Sequence, residues 1–191
     1  MANSKLIVVE GPQGAGKTTV TDFIRHGLKY TNLYRLCGTA DSTPTGKQKA
    51  KDMYFDLLEY IKKMENKSIN LLFDRTFFTE EIYSRLKFKQ YDFSDIYEKL
   101  LDEFSKLDFD IYYINLYLSD TNLYKTRLER SGKAITEYAK FNIESSIHQQ
   151  EQYLKMANEL SKKYNTIKVF NVSNDTDEEA LKHKIKEILN F

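Results

Sequence analysis

Apolar residues follow two rhythms along this chain. Leu6-Ile7-Val8-Val9 is a short unbroken run that reads as a strand covered on both faces, residues 69–73, 111–118 and 167–172 read as further strands, and residues 33–37 form a weaker candidate. Between these runs, apolar side chains return every three or four positions. Val20, Phe23, Ile24 and Leu28 make one such stripe, and Met53, Leu57, Leu58 and Ile61 make another within residues 47–64. Residues 76–86 read as a further helix, and Ile96, Leu100, Leu101 and Phe104 mark the next. A long helical stretch covers residues 123–163 with a break near Gly132, and Leu181, Ile185, Ile188 and Leu189 stripe a closing helix. Strand and helix therefore alternate. The pattern predicts an α/β protein in which a five-stranded parallel sheet is flanked by helices on both faces. Ligands of such sheets bind at the carboxyl ends of the strands. Those ends are read as Glu10, Cys37, Asp74, Leu118 and Val172.

Composition narrows the picture. At 191 residues the chain suits a single domain spanning 1–191, and it contains 7 glycines and 2 prolines, so little of it is punctuated. Three of those glycines, Gly11, Gly14 and Gly16, fall with Pro12 in one short stretch, and residues 38–46 form the other loop-like segment. Lys and Arg total 29 against 28 Asp and Glu, a net charge of +1, which argues against a protein that grips the nucleic-acid backbone. The single Cys37 closes no internal disulfide, and His26, His148 and His183 lie too far apart in sequence to suggest a histidine-rich metal centre. No apolar run approaches the ~20 residues needed to span a bilayer, and the N-terminus runs directly into a strand without the pattern of a signal peptide. The expectation is a soluble cytoplasmic protein without a membrane partner.

The glycine cluster carries the chemistry. Gly11-Pro12-Gln13-Gly14-Ala15-Gly16-Lys17-Thr18 matches G-x-x-x-x-G-K-[ST] at every position, and it has a buried strand before it and an amphipathic helix after it. Glycines let the backbone curl so that successive N–H groups meet phosphate oxygens, and the helix dipole adds to the same place. Lys17 supplies a charge for the β- and γ-phosphates, and the Thr18 hydroxyl can ligate Mg²⁺. Gly11 through Thr19 is therefore the expected cradle for ATP. A guanine reader of the form Asn-Lys-x-Asp is missing, since the only Asn-Lys continues as Ser68-Ile69. The run Leu71-Leu72-Phe73 ends in Asp74-Arg75 rather than in consecutive acids. A small kinase fits better than a GTPase switch or a motor-type ATPase.

The segment Phe73-Asp74-Arg75-Thr76 with Thr79 resembles both thymidylate kinases and deoxynucleoside kinases, as does Val9-Glu10-Gly11 through Thr19. Leu116-Tyr117-Leu118 followed by Lys125, Arg127 and Arg130 is similar to their fourth strand and arginine-bearing lid, and residues 169–190 resemble their last strand and helix. The resemblance implies a P-loop NTPase fold with a helical lid at about 119–135, and a homodimer. It also implies that Asp74 orients Mg²⁺ or its waters and that Arg75 contacts the acceptor or its phosphate. Arg127 and Arg130 would share one helical face and meet charge developing on the transferred phosphoryl group. A solvated charged face is the plain alternative for that pair. Tyr54 and Phe55 lie where these families bind the base, but aromatics at helical spacing are read here as core.

Two departures matter. Gln13 stands where bacterial-type thymidylate kinases place a carboxylate, and no Arg follows Tyr54 and Phe55 by one turn. In deoxynucleoside kinases a Glu after the second strand serves as base for the 5′-hydroxyl. Here the segment reads Arg35-Leu36-Cys37-Gly38-Thr39-Ala40-Asp41, with Asp41 as the nearest acid. Arg35 followed by Gly38-Thr39 is closer to thymidylate kinases. The preferred reading is an ATP- and Mg²⁺-dependent kinase acting on a deoxynucleoside monophosphate, with a pyrimidine base. The alternatives are a deoxynucleoside kinase and a regulator that binds ATP without turnover.

Overall fold

The computed structural model describes residues 4–130, 137–175 and 177–191; residues 131–136 and the side chains of residues 130 and 137–142 lie outside that description. Five strands, β1 (Lys5–Glu10), β2 (Thr31–Arg35), β3 (Asn70–Asp74), β4 (Asp110–Tyr117) and β5 (Ile167–Ser173), form one sheet in the order β2-β3-β1-β4-β5. Every pairing is parallel. The helices are α1 (Lys17–Gly27), α2 (Gly46–Lys63), α3 (Phe77–Arg85), α4 (Ser94–Phe104), α5 (Leu123–Arg130), α6 (Glu137–Lys163) and α7 (Glu178–Leu189). The predicted break near Gly132 falls outside the described residues.

Because strand side chains alternate, the inner strands feed two cores. Leu6, Val8, Leu71, Phe73, Ile111 and Tyr113 join buried residues of α2, α3, α4 and α6 on one face. Ile7, Val9, Leu72, Ile114 and Leu116 join Val20 and Ile24 of α1 and Leu181, Ile185 and Leu189 of α7 on the other. This is the doubly wound arrangement that the unbroken apolar runs predict.

Two details differ from the sequence reading. Strand β2 begins earlier and ends at Arg35, since its pairing with β3 runs from Thr31 with Asn70 to Arg35 with Asp74. As an edge strand it has no fully buried residue, so its apolar signal is weak. In α2 the buried stripe is Ala50, Tyr54, Leu58 and Ile61, while Met53 is exposed. Tyr54 takes the central seat, completely buried with its hydroxyl near the Thr76 carbonyl, as the core reading expects.

Candidate active site

The loop after β1 has the backbone that its glycines allow. Gly11, Gly14 and Gly16 all have positive φ, and a Cβ on Gly11 would come within 2.4 Å of the Leu116 carbonyl oxygen. Gly16, with φ of 92°, is the N-cap of α1; no side chain caps this helix and no acid lies in its first turn. The leading N–H groups of α1 are thereby left to an anion. Lys17 Nζ donates 2.8 Å bonds to the carbonyls of Gly11 and Pro12, which curls the side chain back over the loop.

Gln13, Gly14, Gly16, Lys17, Thr18 and Thr19 line a cleft of about 650 Å³ at the carboxyl edge of the sheet. Asp74, Arg75 and Arg127 line the same cleft, joined by Arg35 and Asn174, while Gly11, Pro12 and Ala15 are buried in the loop behind it. Of the predicted site residues, only the Arg130 side chain lies outside the described residues. Arg35 Nη2 donates to Asp22 at 2.6 Å, and its Nε lies 3.8 Å from Asp74. Arg75, by contrast, has φ of 70° and a buried Nε without a hydrogen-bond partner. Asp41 has another task. It accepts from the Thr43 N–H, from the Thr43 and Thr45 hydroxyls and from Lys49, and the bonds from Lys49 and Thr43 hold its carboxyl well below the usual range. It ties the approach to α2.

The α5 side of the cleft is built from carbonyls and amides. Arg127 donates to the carbonyls of Gly14 at 3.3 Å, of Asp175 at 2.6 Å and of Asn174, so its guanidinium pins α5 to the phosphate loop and to the loop after β5. Asn174 Nδ2 donates to the Ala15 carbonyl at 2.7 Å, and Asp175 collects the Ser119 N–H and the hydroxyls of Ser119 and Ser173. On α6, Gln150 accepts from the Leu118 N–H at 2.8 Å and from the Tyr124 hydroxyl at 2.5 Å, and donates to the Leu118 carbonyl at 3.0 Å. One amide thus extends β4 past its last paired residue and holds α5 through Tyr124. On α3, the buried Glu80 accepts from the Thr39 N–H at 2.8 Å and pairs with Lys89 at 3.0 Å.

Sequence reasoning passed over Gln150, Asn174, Asp175, Glu80 and the chemical role of Glu10. Glu10 alone carried a local signal, being an acid that directly ends an apolar strand. In the structure it is fully buried. Burial pushes its carboxyl up to about 7, against the lowering effect of its bonds to Thr79 and Thr76 and of nearby Arg75 and Lys17. Burial, with Arg75 alongside, pushes the Lys17 ammonium down to about 7, against the pull of Asp74 and Glu10.

Solved structures with the same architecture are known, although no family model and no curated protein sequence matches the chain. The thymidylate kinase of Candida albicans is similar with a TM-score of 0.67 at 18% identity, covering 100% of this chain and 92% of its own. The Bacillus subtilis YorR protein, solved with phosphorylated GDP, is similar at 0.64 and 22%, covering 97% and 94%. A deoxyadenosine kinase from M. mycoides with bound dCTP is similar at 0.58 and 20%, covering 97% and 98%. The fold is that of the nucleotide kinases. The expected P-loop architecture is thereby established, with all five strands present and parallel.

Among the described residues no group of three or more His, Cys, Asp or Glu could hold a metal ion by itself. The donor set suits Mg²⁺ nonetheless, because the Thr18 hydroxyl and the Asp74 carboxylate line one cleft and this ion keeps several of its waters. Bound there with a triphosphate, it would neutralise phosphate charge. No described helix is long and apolar enough to cross a membrane.

Proposed function

We propose that the protein is a kinase that transfers the γ-phosphoryl group of ATP to a deoxynucleoside monophosphate. Gly11 to Thr19 cradle the donor, Lys17 meets its β- and γ-phosphates, and Thr18 and Asp74 hold Mg²⁺. The observation that carries the reading is Arg75. It lines the same cleft as the phosphate loop, is half-buried, and keeps its buried Nε without a partner. A buried cationic donor of that kind calls for an anion, and a phosphate dianion can meet two guanidinium nitrogens at once. A nucleoside would bring no such charge.

Asp41 supports the same choice. A free 5′-hydroxyl needs a base, and the first acid after β2 in the sequence, Asp41, is engaged by two threonines and a lysine. A monophosphate oxygen is already anionic and needs none. Similarity to the Candida albicans thymidylate kinase favours a pyrimidine base. Arg127, spread over three carbonyls, serves the proposed lid by docking α5 beside the donor, and Arg130 is proposed as its companion on that helix.

The test is an ADP-release assay across the deoxynucleosides and their monophosphates. At least one monophosphate should turn over far faster than its nucleoside, and Arg75→Lys should lower kcat/KM for it about 10-fold or more. Turnover of nucleosides alone would replace this reading with a deoxynucleoside kinase, and no acceptor-dependent release at all would leave a binding protein.

A further inference from the structure

The strand register places a polar row directly above an apolar one. On the face covered by α3 and α6, Phe73, Val8, Tyr113 and Val169 lie side by side across four strands. Two residues further along β1, β4 and β5 the corresponding positions are Glu10, Asn115 and Asn171, and Arg75 directly follows the last paired residue of β3. Glu10 stands in the middle of this row without solvent access. An isolated buried carboxylate is costly, and here three donors answer it. They are the Thr76 N–H at 2.8 Å, the Thr76 hydroxyl at 3.3 Å and the Thr79 hydroxyl at 2.6 Å. Since the Thr79 proton is used on Glu10, the Tyr153 hydroxyl, 2.8 Å away on α6, donates to Thr79.

Two of these bonds end on Thr76, in the turn that presents Arg75, and the third ends on Thr79 in the first turn of α3 that follows it. That residue sits at φ of 70°, a left-handed conformation that a long side chain avoids unless its surroundings impose it. The two peptide groups flanking Arg75 are held by consecutive residues of β1. The Val9 carbonyl accepts the Arg75 N–H at 3.1 Å, and Glu10 accepts the Thr76 N–H. The next residue is Gly11, where the phosphate loop begins. One dipeptide therefore fixes both the donor cradle and the guanidinium opposite it.

We propose that Glu10 is the positioning residue for the acceptor phosphate, holding Arg75 at a set distance from the phosphate loop through Thr76 and Thr79. The proposal rests on the reading of Arg75 given above. The charged and titratable groups facing Glu10 are Lys17 of α1, Arg75 at the end of β3, Tyr113 of β4 and Tyr153 of α6, with Tyr83 of α3 and Tyr54 of α2 in electrostatic range. Reaction rates fall steeply when reacting groups shift by even about 1 Å, so an aiming device at this point acts directly on turnover.

Thr79→Val and Glu10→Gln keep shape while removing the hydroxyl or the charge, and Thr79→Ser keeps the hydroxyl. Expected are losses of about 10-fold in kcat/KM for the monophosphate in Thr79→Val and Glu10→Gln, with KM for ATP unchanged and Thr79→Ser close to the parent. On an Arg75→Lys background the same two changes should cost less than about 2-fold, because the guanidinium they aim is gone. Equal losses on both backgrounds, or equal loss in Thr79→Ser and Thr79→Val, overturn the proposal. A second readout needs no turnover. The ¹⁵N Nε–H resonance of Arg75, assigned by its absence in Arg75→Lys, should move in Glu10→Gln and Thr79→Val but not in Thr79→Ser. An unmoved resonance overturns the positioning role even in an active enzyme. A moved resonance in a protein that ignores every monophosphate retains the positioning of Arg75 and rejects the acceptor assignment.

Discussion

Replacing Gln150 by Leu removes one amide and strands three groups. The Leu118 N–H and C=O both lose their partner, and the Tyr124 hydroxyl loses its acceptor. Leu118 and Tyr124 are fully buried and Gln150 is 7% exposed, so water does not readily take the place of the amide. A buried polar group left unpaired costs about 1–3 kcal/mol, and leucine recovers about 1 kcal/mol through its extra apolar contact. The net expectation is a loss of about 3 kcal/mol, equivalent to roughly 6–12 °C in Tm for a chain of this size. With no tryptophan present, urea unfolding is followed by far-ultraviolet circular dichroism. Gln150→Glu is the informative companion. Ionised, it accepts from Leu118 and Tyr124 but offers nothing to the Leu118 carbonyl; protonated, it restores that bond. Burial raises the folded pKa of such a carboxyl, so its stability should be greatest near pH 4 and fall as pH rises. A Gln150→Leu loss below about 1 kcal/mol with unchanged m-value would refute the bracket as a source of stability.

Lys17→Ala should lower turnover at least about 10²-fold in the ADP-release assay, with the fold intact by circular dichroism. Gly16→Ala should weaken ATP binding about 10-fold or more by calorimetry, because the residue sits at φ of 92° and its Cβ would lie 2.2 Å from Asn174 Nδ2, dislodging the amide from the Ala15 carbonyl. Glu10, raised from 4.5 to about 7, binds its proton more tightly folded than unfolded, so stability should fall as pH rises across that interval, by about 3 kcal/mol at most. Urea unfolding at several pH values should show this fall in the parent and not in Glu10→Gln.

The strands that carry the site were legible because both of their faces are buried. Leu6 to Val9 and Ile111 to Leu116 have no solvent side to interrupt the apolar run. The phosphate loop was legible because its backbone demands glycine at fixed spacing. Strand β2 was misplaced because an edge strand needs few apolar residues and takes its register from β3. Asp41 looked like a spare acid near the site, and only its bonds to Thr43, Thr45 and Lys49 reveal it as a local tie. Gln150 and Asn174 were silent, and the partners of Glu10 hidden, for a shared reason. Each acts on backbone or hydroxyl groups distant in sequence, from Gln150 back to Leu118 and from Glu10 on to Thr76, and no local spacing records such a pairing.

Strand order also has a consequence during synthesis. The strand that leads into the phosphate loop lies between β3 and β4, yet β4 is completed about a hundred residues later. At ribosomal speeds of about 5–20 residues per second, β1 waits roughly 5–20 seconds for its second neighbour. The first two strands made are not neighbours in the finished sheet, and any early pairing between them must be undone before β3 can enter. Such long-range parallel pairings fold slowly. The glycine loop after β1 is translated well before Asn174, whose amide braces it, and is complete only once that later segment has arrived.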